Sequence, residues 1–163
     1  MNALSLIDMA VKVAEAEVAI HVEARKALER VAVKVENTAK AEFGEYQDAI
    51  GPFPEWTELA DSTQAERGRL GFPENEPLLR TGELRDSISH EVHELTATIG
   101  STSDIMVYQE FGTERIPPRP VLGPAAEANH ETIVRELGGA VVKGLIEGAA
   151  IHRSLGYDAV LKG

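Results

Sequence analysis

Residues 87–101 read SISHEVHELTATIGS. Ile88, His90 and Val92 alternate with polar neighbours, a turn falls around Glu94, and Ala97 and Ile99 resume the alternation. Strand side chains point to opposite faces with a period of two. The stretch therefore predicts two half-buried antiparallel strands joined by a tight turn. Everything on either side has a longer period, so these residues decide the class: a small antiparallel sheet between helices, α+β.

Upstream, Ala3 to Phe43 contains neither Gly nor Pro. Steps of three and four trace Leu4, Ile7, Val11, Ala14, Val18, His21, Arg25, Leu28, Ala32, Val35 and Ala39, a stripe broken only by His21 and Arg25. That is the signature of one long amphipathic helix over residues 1–43 with some coiled-coil character. At 1.5 Å per residue it would run on the order of 60 Å. The roughly 120 residues that follow cannot cover such a length in one compact domain. Either the helix breaks near His21–Arg25, or part of it packs on a neighbouring subunit, and the second is the stronger reading.

Between helix and sheet, Gly44 to Trp56 is a loop by its Gly and Pro punctuation, TELADSTQAERGRL suits a short helix, and GFPENEPL is a second loop. RTGELRDSIS predicts a helical turn capped by Thr81 and anchored by Leu84 and Ile88. After the sheet, Ile105, Tyr108 and Phe111 stand three apart behind Ser103 or Asp104, which predicts a short helix with a natural N-cap. TERIPPRP then forms an extended elbow, because each proline biases its predecessor away from helix. A second long helix is expected from Leu122 through Leu155, its latter half softened by Gly138, Gly139, Gly144 and Gly148. The predicted fold is a long N-terminal helix, a small antiparallel sheet and a C-terminal helix packed on it, with 44–163 forming the core of the same single domain.

The chain has 163 residues and a formal net charge of −11, from 27 acidic against 16 basic side chains. Nonspecific DNA binding needs clustered Lys and Arg to displace phosphate counterions, so this balance argues against it. The absence of cysteine excludes disulfides, thiolate metal sites and a Cys nucleophile, and fits a reducing compartment. No apolar run approaches the roughly 20 residues that span a bilayer, and the N-terminus lacks a signal peptide's basic start. The expectation is a protein made in the cytoplasm, with no membrane partner. Aromatics are only 5%, so the core must come from Ala, Val, Leu and Ile. So thin a core hints at apolar surface buried between subunits.

Catalytic groupings are weak. HEVHE at His90–Glu94 spaces its histidines three apart on a strand-like segment, which sends them to opposite faces instead of onto one metal. Asp86, Ser87 and His90 supply the residue types of a hydrolytic triad but lack a nucleophile elbow. Glu110 and Glu114 flank the Phe-Gly-Thr turn and read either as paired carboxylates or equally as a solvated face, or one of them as a partner of Arg115 or Arg119. No glycine cluster makes a phosphate-binding loop. No enzyme, cofactor or metal is supported. A metal-dependent hydrolase on His90, Glu91 and His93 is the weak alternative of another class.

The remaining feature is YQEFGTERIPPRPVLGPAAE, residues 108–127. Tyr108 and Phe111 offer an apolar anchor, Gly112 permits a turn that a side chain would hinder, and Pro117, Pro118 and Pro120 stiffen the chain around Arg119. A stiff segment loses little entropy on docking and suits a protein contact. A crossover within the domain explains it equally well.

Three boxes in series resemble a known family. They are Thr-Gly-x-Leu-Arg-x-Ser-Ile at Thr81–Ile88, Tyr-x-x-Phe-Gly-Thr at Tyr108–Thr113, and Arg-Pro followed by Leu-x-Pro-Ala at Arg119–Ala125. Together they look like the small tail-completion or neck proteins of long-tailed bacteriophages, close to lambda-like tail components and Mu-like virion-morphogenesis proteins. WTELADST at Trp56–Thr63 is similar to a tryptophan segment ahead of these boxes. Val121 stands where that family often has an aromatic.

The resemblance implies a non-enzymatic virion part: a homo-oligomeric ring, commonly sixfold, at the head–tail junction. Its partners would be the connector and the tail-tube or tail-terminator proteins, and DNA would pass through without specific binding. A terminator or head-closure role on the same scaffold is the alternative. Phe111, Gly112, Thr113, Arg119 and Pro120, with Tyr108, are then expected at the elbow contact, and Arg119 is expected to bond a neighbour's Glu or backbone carbonyls. Thr81, Gly82, Leu84, Arg85 and Ile88 would organise the fold beneath.

Overall fold

A computed structural model describes residues 6–154, and side chains through Gly148. Leu4 of the predicted stripe and Leu155 of the predicted second helix lie outside the described residues. The first element is a single helix, α1, Leu6–Ala41, unbroken through His21–Arg25. After the loop come α2 (Asp61–Arg69) and the one-turn α3 (Glu83–Asp86). Strands β1 (Ile88–His93) and β2 (Thr96–Ser101) form a two-stranded antiparallel sheet, and Glu94 adopts φ 52° in its two-residue turn. Helices α4 (Asp104–Phe111), α5 (Leu122–Ala128) and α6 (His130–Ser154) complete the chain. The fold is α+β, as the period change at residue 87 predicts.

Two compact units share α1. One takes in α1 up to Val31, the hairpin tip Val92–Thr96 and α6 from Thr132. Here α1 and α6 pack together through small residues. A Cβ on Gly144 would lie 2.5 Å from the Cα of Ile20, and one on Gly148 would lie 2.7 Å from the Cα of Ala16. Ala140, one turn earlier, is also buried.

The covered face of α1 in this unit therefore runs through Ala16, Ile20, Glu23 and Ala27. The predicted stripe differs: Ile7 is 76% exposed, and Val11 and Val18 also face solvent. Close backbone approach decides the helix rotation here, and glycine supplies it without any apolar signal. Glu23, only 3% exposed, accepts from Lys143 Nζ at 2.6 Å and Lys26 Nζ at 2.7 Å. Those two bonds, Lys143's foremost, hold its pKa down at about 2.

The other unit spans Ala32–Glu91 and Ala97–Glu131. The stripe holds in this half of α1: Ala32, Val35 and Ala39 are buried, with Phe43 just beyond. Ile88, Met106, Val121 and Ala125 bring the sheet, α4 and α5 into the same core, and Trp56 and Leu59 bring in the loop.

The expected continuous helix from Leu122 is divided at Asn129 (φ −102°, ψ 3°). Its side-chain amide donates to Ala125 O and to Thr38 Oγ1, both at 2.8 Å. Asn favours such local bonds over regular helix, and here one bond also ties the corner to α1. The glycines expected to weaken the second helix lie within the unbroken α6.

Candidate functional site

The elbow is built from both of its ends. Helix α4 stops at Gly112, whose φ of 72° favours glycine. A Cβ there would sit 2.9 Å from both Ile116 O and Pro118 N. Thr113 closes the loop that follows: its N–H donates to Ile116 O at 2.8 Å, and its Oγ1 accepts from the N–H of Arg115 and Ile116 at 3.2 and 3.1 Å. This local network presents a fixed ledge in place of a floppy connector.

Arg119 departs from expectation. It is 5% exposed, and its guanidinium donates to Thr57 O at 2.8 and 3.2 Å and to Glu58 O at 3.2 Å. The carbonyl acceptors are of the expected type, but they belong to its own chain. Its backbone N–H also donates to Gln109 O at 2.7 Å. Trp56 Nε1–H donates to Pro120 O at 3.1 Å, so residues 56–58 and 119–120 are knitted together. Trp56 thus joins the Arg-Pro box through one indole bond. Burial lowers the pKa of Arg119 from its ordinary value, and the charge of Arg67 adds to this.

Glu110 is the residue that sequence reasoning misplaced. It does not form a solvated face: its carboxylate accepts from the N–H groups of Val121 and Leu122 at 2.8 and 3.2 Å and of Gly123 at 3.0 Å. A carboxylate satisfying the orphan donors that open a helix is favourable, and this one bridges α4 to α5. A glutamate nine residues upstream of an Arg-Pro carries no local pattern that reveals the bond. Glu42 lies within its electrostatic reach. Burial foremost, then the Glu110 charge, raises Glu42 to about 8, and its Oε2 has no hydrogen-bond partner.

The first box folds as a turn on the sheet. Gly82, at φ 87°, precedes α3, and Thr81 Oγ1 accepts from Glu83 N–H at a long 3.4 Å while donating to Glu83 Oε2 at 3.2 Å. Thr81 is thus a weak cap. Ile88 is fully buried beneath, Leu84 is half-buried, and Arg85 pairs with Asp86 at 2.9 Å.

The triad residue types are separately engaged. Ser87 Oγ bonds Leu84 O and Ser101 Oγ, both at 2.6 Å, and His90 Nδ1 bonds the Glu36 carboxylate. Lys40, then His90, holds Glu36 below the usual carboxylate range. His93 is exposed, so the two histidines part as their spacing predicts. Among the described residues, no three His, Asp or Glu side chains gather to hold a metal, and no helix is long and apolar enough to cross a membrane.

Two features remain on the surface of the elbow unit. Phe111 is 78% exposed, and Ile105, Val107 and Tyr108 on the same helix and Ile116 in the elbow are also exposed. Beside them opens a cavity of about 1160 Å³, walled by α2, α3, the start of α4 and the elbow. No protein-family model, curated protein or solved structure matches this chain.

Proposed function

We propose that the chain is a non-enzymatic structural protein of a tailed phage or prophage, forming a homo-oligomeric ring at the neck or tail end, between connector and tail tube. The observation that carries this reading is the pairing of a rigid elbow with an exposed apolar crest. Arg119, Trp56, Glu110 and Thr113 lock residues 110–123 in place, while Phe111, and Tyr108 one turn before it on α4, stand out into solvent. Large apolar side chains grouped on a preorganised ledge mark an interaction surface.

A closed ring is made by one patch docking head-to-tail on a different patch of the next subunit, and such a ledge can serve as one of them. The three boxes in family order support the assignment to the neck, and the net charge of −11 suits a channel along which DNA slides without adhering. On this reading the protein is made in the host cytoplasm and ends in the virion. Native mass spectrometry of the chain, alone and with the connector and tail-tube proteins of the same genome, tests it. A closed oligomer, formed alone or with a partner, supports the reading, and a monomer indifferent to both partners ends it.

A further inference from the structure

The cavity beside the elbow has the opposite sign from the rest of the protein. Arg67, Arg80, Arg115 and Arg119 line it, against Glu58 and Glu83. Among the described residues none of the four arginines is ion-paired with a carboxylate. Arg67 and Arg119 donate to backbone carbonyls, and Arg80 stacks over Phe72 at 4.7 Å from the ring centroid. Between the arginines the wall is apolar, with Leu59, Leu78, Leu84, Ile105 and Ile116. Gln109, also in the wall, has a buried Oε1 without a hydrogen-bond donor. Guanidinium groups without carboxylate partners and an apolar floor describe a site for an acidic, apolar stretch of polypeptide.

The same chain carries an exposed apolar stretch. In the first half of α1, Leu6, Ile7, Met9, Val11, Val13, Val18 and Val22 are all exposed. Roughly a few hundred Å² of contiguous apolar surface is already the scale of an interaction patch. Carboxylates outnumber cations there, with Asp8, Glu15 and Glu17 against Lys12, and Glu15 lies on one face with Val11, Ala14 and Val18. A heterologous contact requires two different, complementary patches on one chain, and these two are complementary in charge and both apolar.

We infer that the first half of α1, Leu6–Val22, of one copy docks in the arginine-walled cavity of the next. The inference rests on the ring reading and deepens it: the cavity, lined by Ile105 and Ile116, opens beside the exposed crest, and the docked helix fills the part of the same contact next to it. Duplex DNA is the other anion an arginine cluster attracts, but a chain of net charge −11 and an apolar wall disfavour it.

The test is a charge swap in the full chain. Arg80→Glu with Arg115→Glu reverses two exposed arginines of the cavity, and Glu15→Lys with Glu17→Lys reverses the helix. Sedimentation velocity at low and high salt, with circular dichroism to confirm folding, reads the association. Each double variant should associate with itself about tenfold or more weakly than wild type, and mixing the two should restore assembly. If wild type assembles and neither variant changes its association, the docking is wrong while the ring stands. If wild type stays monomeric with every partner, both are wrong. If the arginine variant loses only binding to added duplex DNA, the cavity is a phosphate site and the inference is overturned.

Discussion

Glu42 makes the elbow unit sensitive to pH in a direction opposite to an ordinary carboxylate. Its folded pKa of about 8 stands above the ordinary 4.5 because burial, then the charge of Glu110, disfavours the anion. Through that window the native state keeps a proton that the unfolded chain releases. The contribution to stability is therefore fully present below 4.5 and is lost as pH rises through about 8. One proton sets a ceiling of about 1.4 kcal/mol per pH unit, and partial solvent access brings this to about half, or roughly 2 kcal/mol across the window.

Glu42→Gln keeps the shape and removes the titration. It should match wild type within about 0.5 kcal/mol at pH 5 and exceed it by about 2 kcal/mol at pH 9. Urea unfolding of both chains at pH 5, 7 and 9 measures the difference. Parallel pH profiles, or a variant less stable at pH 9, would refute the assignment of an uncompensated buried carboxyl at this position.

Three further outcomes follow from the same contacts. Arg119→Met strands the Thr57 and Glu58 carbonyls and should cost about 3 kcal/mol in chemical denaturation, whereas Arg115→Met should stay within about 0.5 kcal/mol. Gly144→Ala drives a methyl against the α1 backbone at Ile20, costing about 1–3 kcal/mol of packing. Gly139→Ala meets nothing within 4 Å and should gain about 1 kcal/mol from helix propensity, so the two thermal midpoints should move apart. Glu23, held at about 2 by Lys143 and Lys26, contributes stability that is present above pH 4.5 and lost as pH falls toward 2. Glu23→Gln should flatten the acid limb of the stability profile.

The period change at residue 87 was enough to read the class, since the alternation of Ile88, His90 and Val92 is set by local geometry alone. Helix α1 was also legible in extent, because no Gly or Pro interrupts it. Its rotation was not. The apolar stripe identifies the covered face only where large side chains fill a core, as at Val35; at Ala16 and Ile20 two glycines of α6 choose the face. At the elbow, Gly112 and the prolines announced their backbone geometry. The partners of Arg119 and Glu110 did not show, because a bond between residues 57 and 119 or a carboxylate on a helix start eleven residues away has no sequence period. Asn129 was hidden for a related reason: its break depends on Thr38, ninety-one residues away in the chain.

The claim that matters most is that the exposed crest on α4 is a subunit contact, and Phe111→Ser tests it most directly. Phe111 is 78% exposed, so its loss should leave the unfolding free energy within about 0.5 kcal/mol of wild type. Native mass spectrometry of wild type and variant, with connector and tail-tube proteins present, should show a closed oligomer for the first and a folded monomer for the second. An oligomer of unchanged mass in the variant would contradict the account.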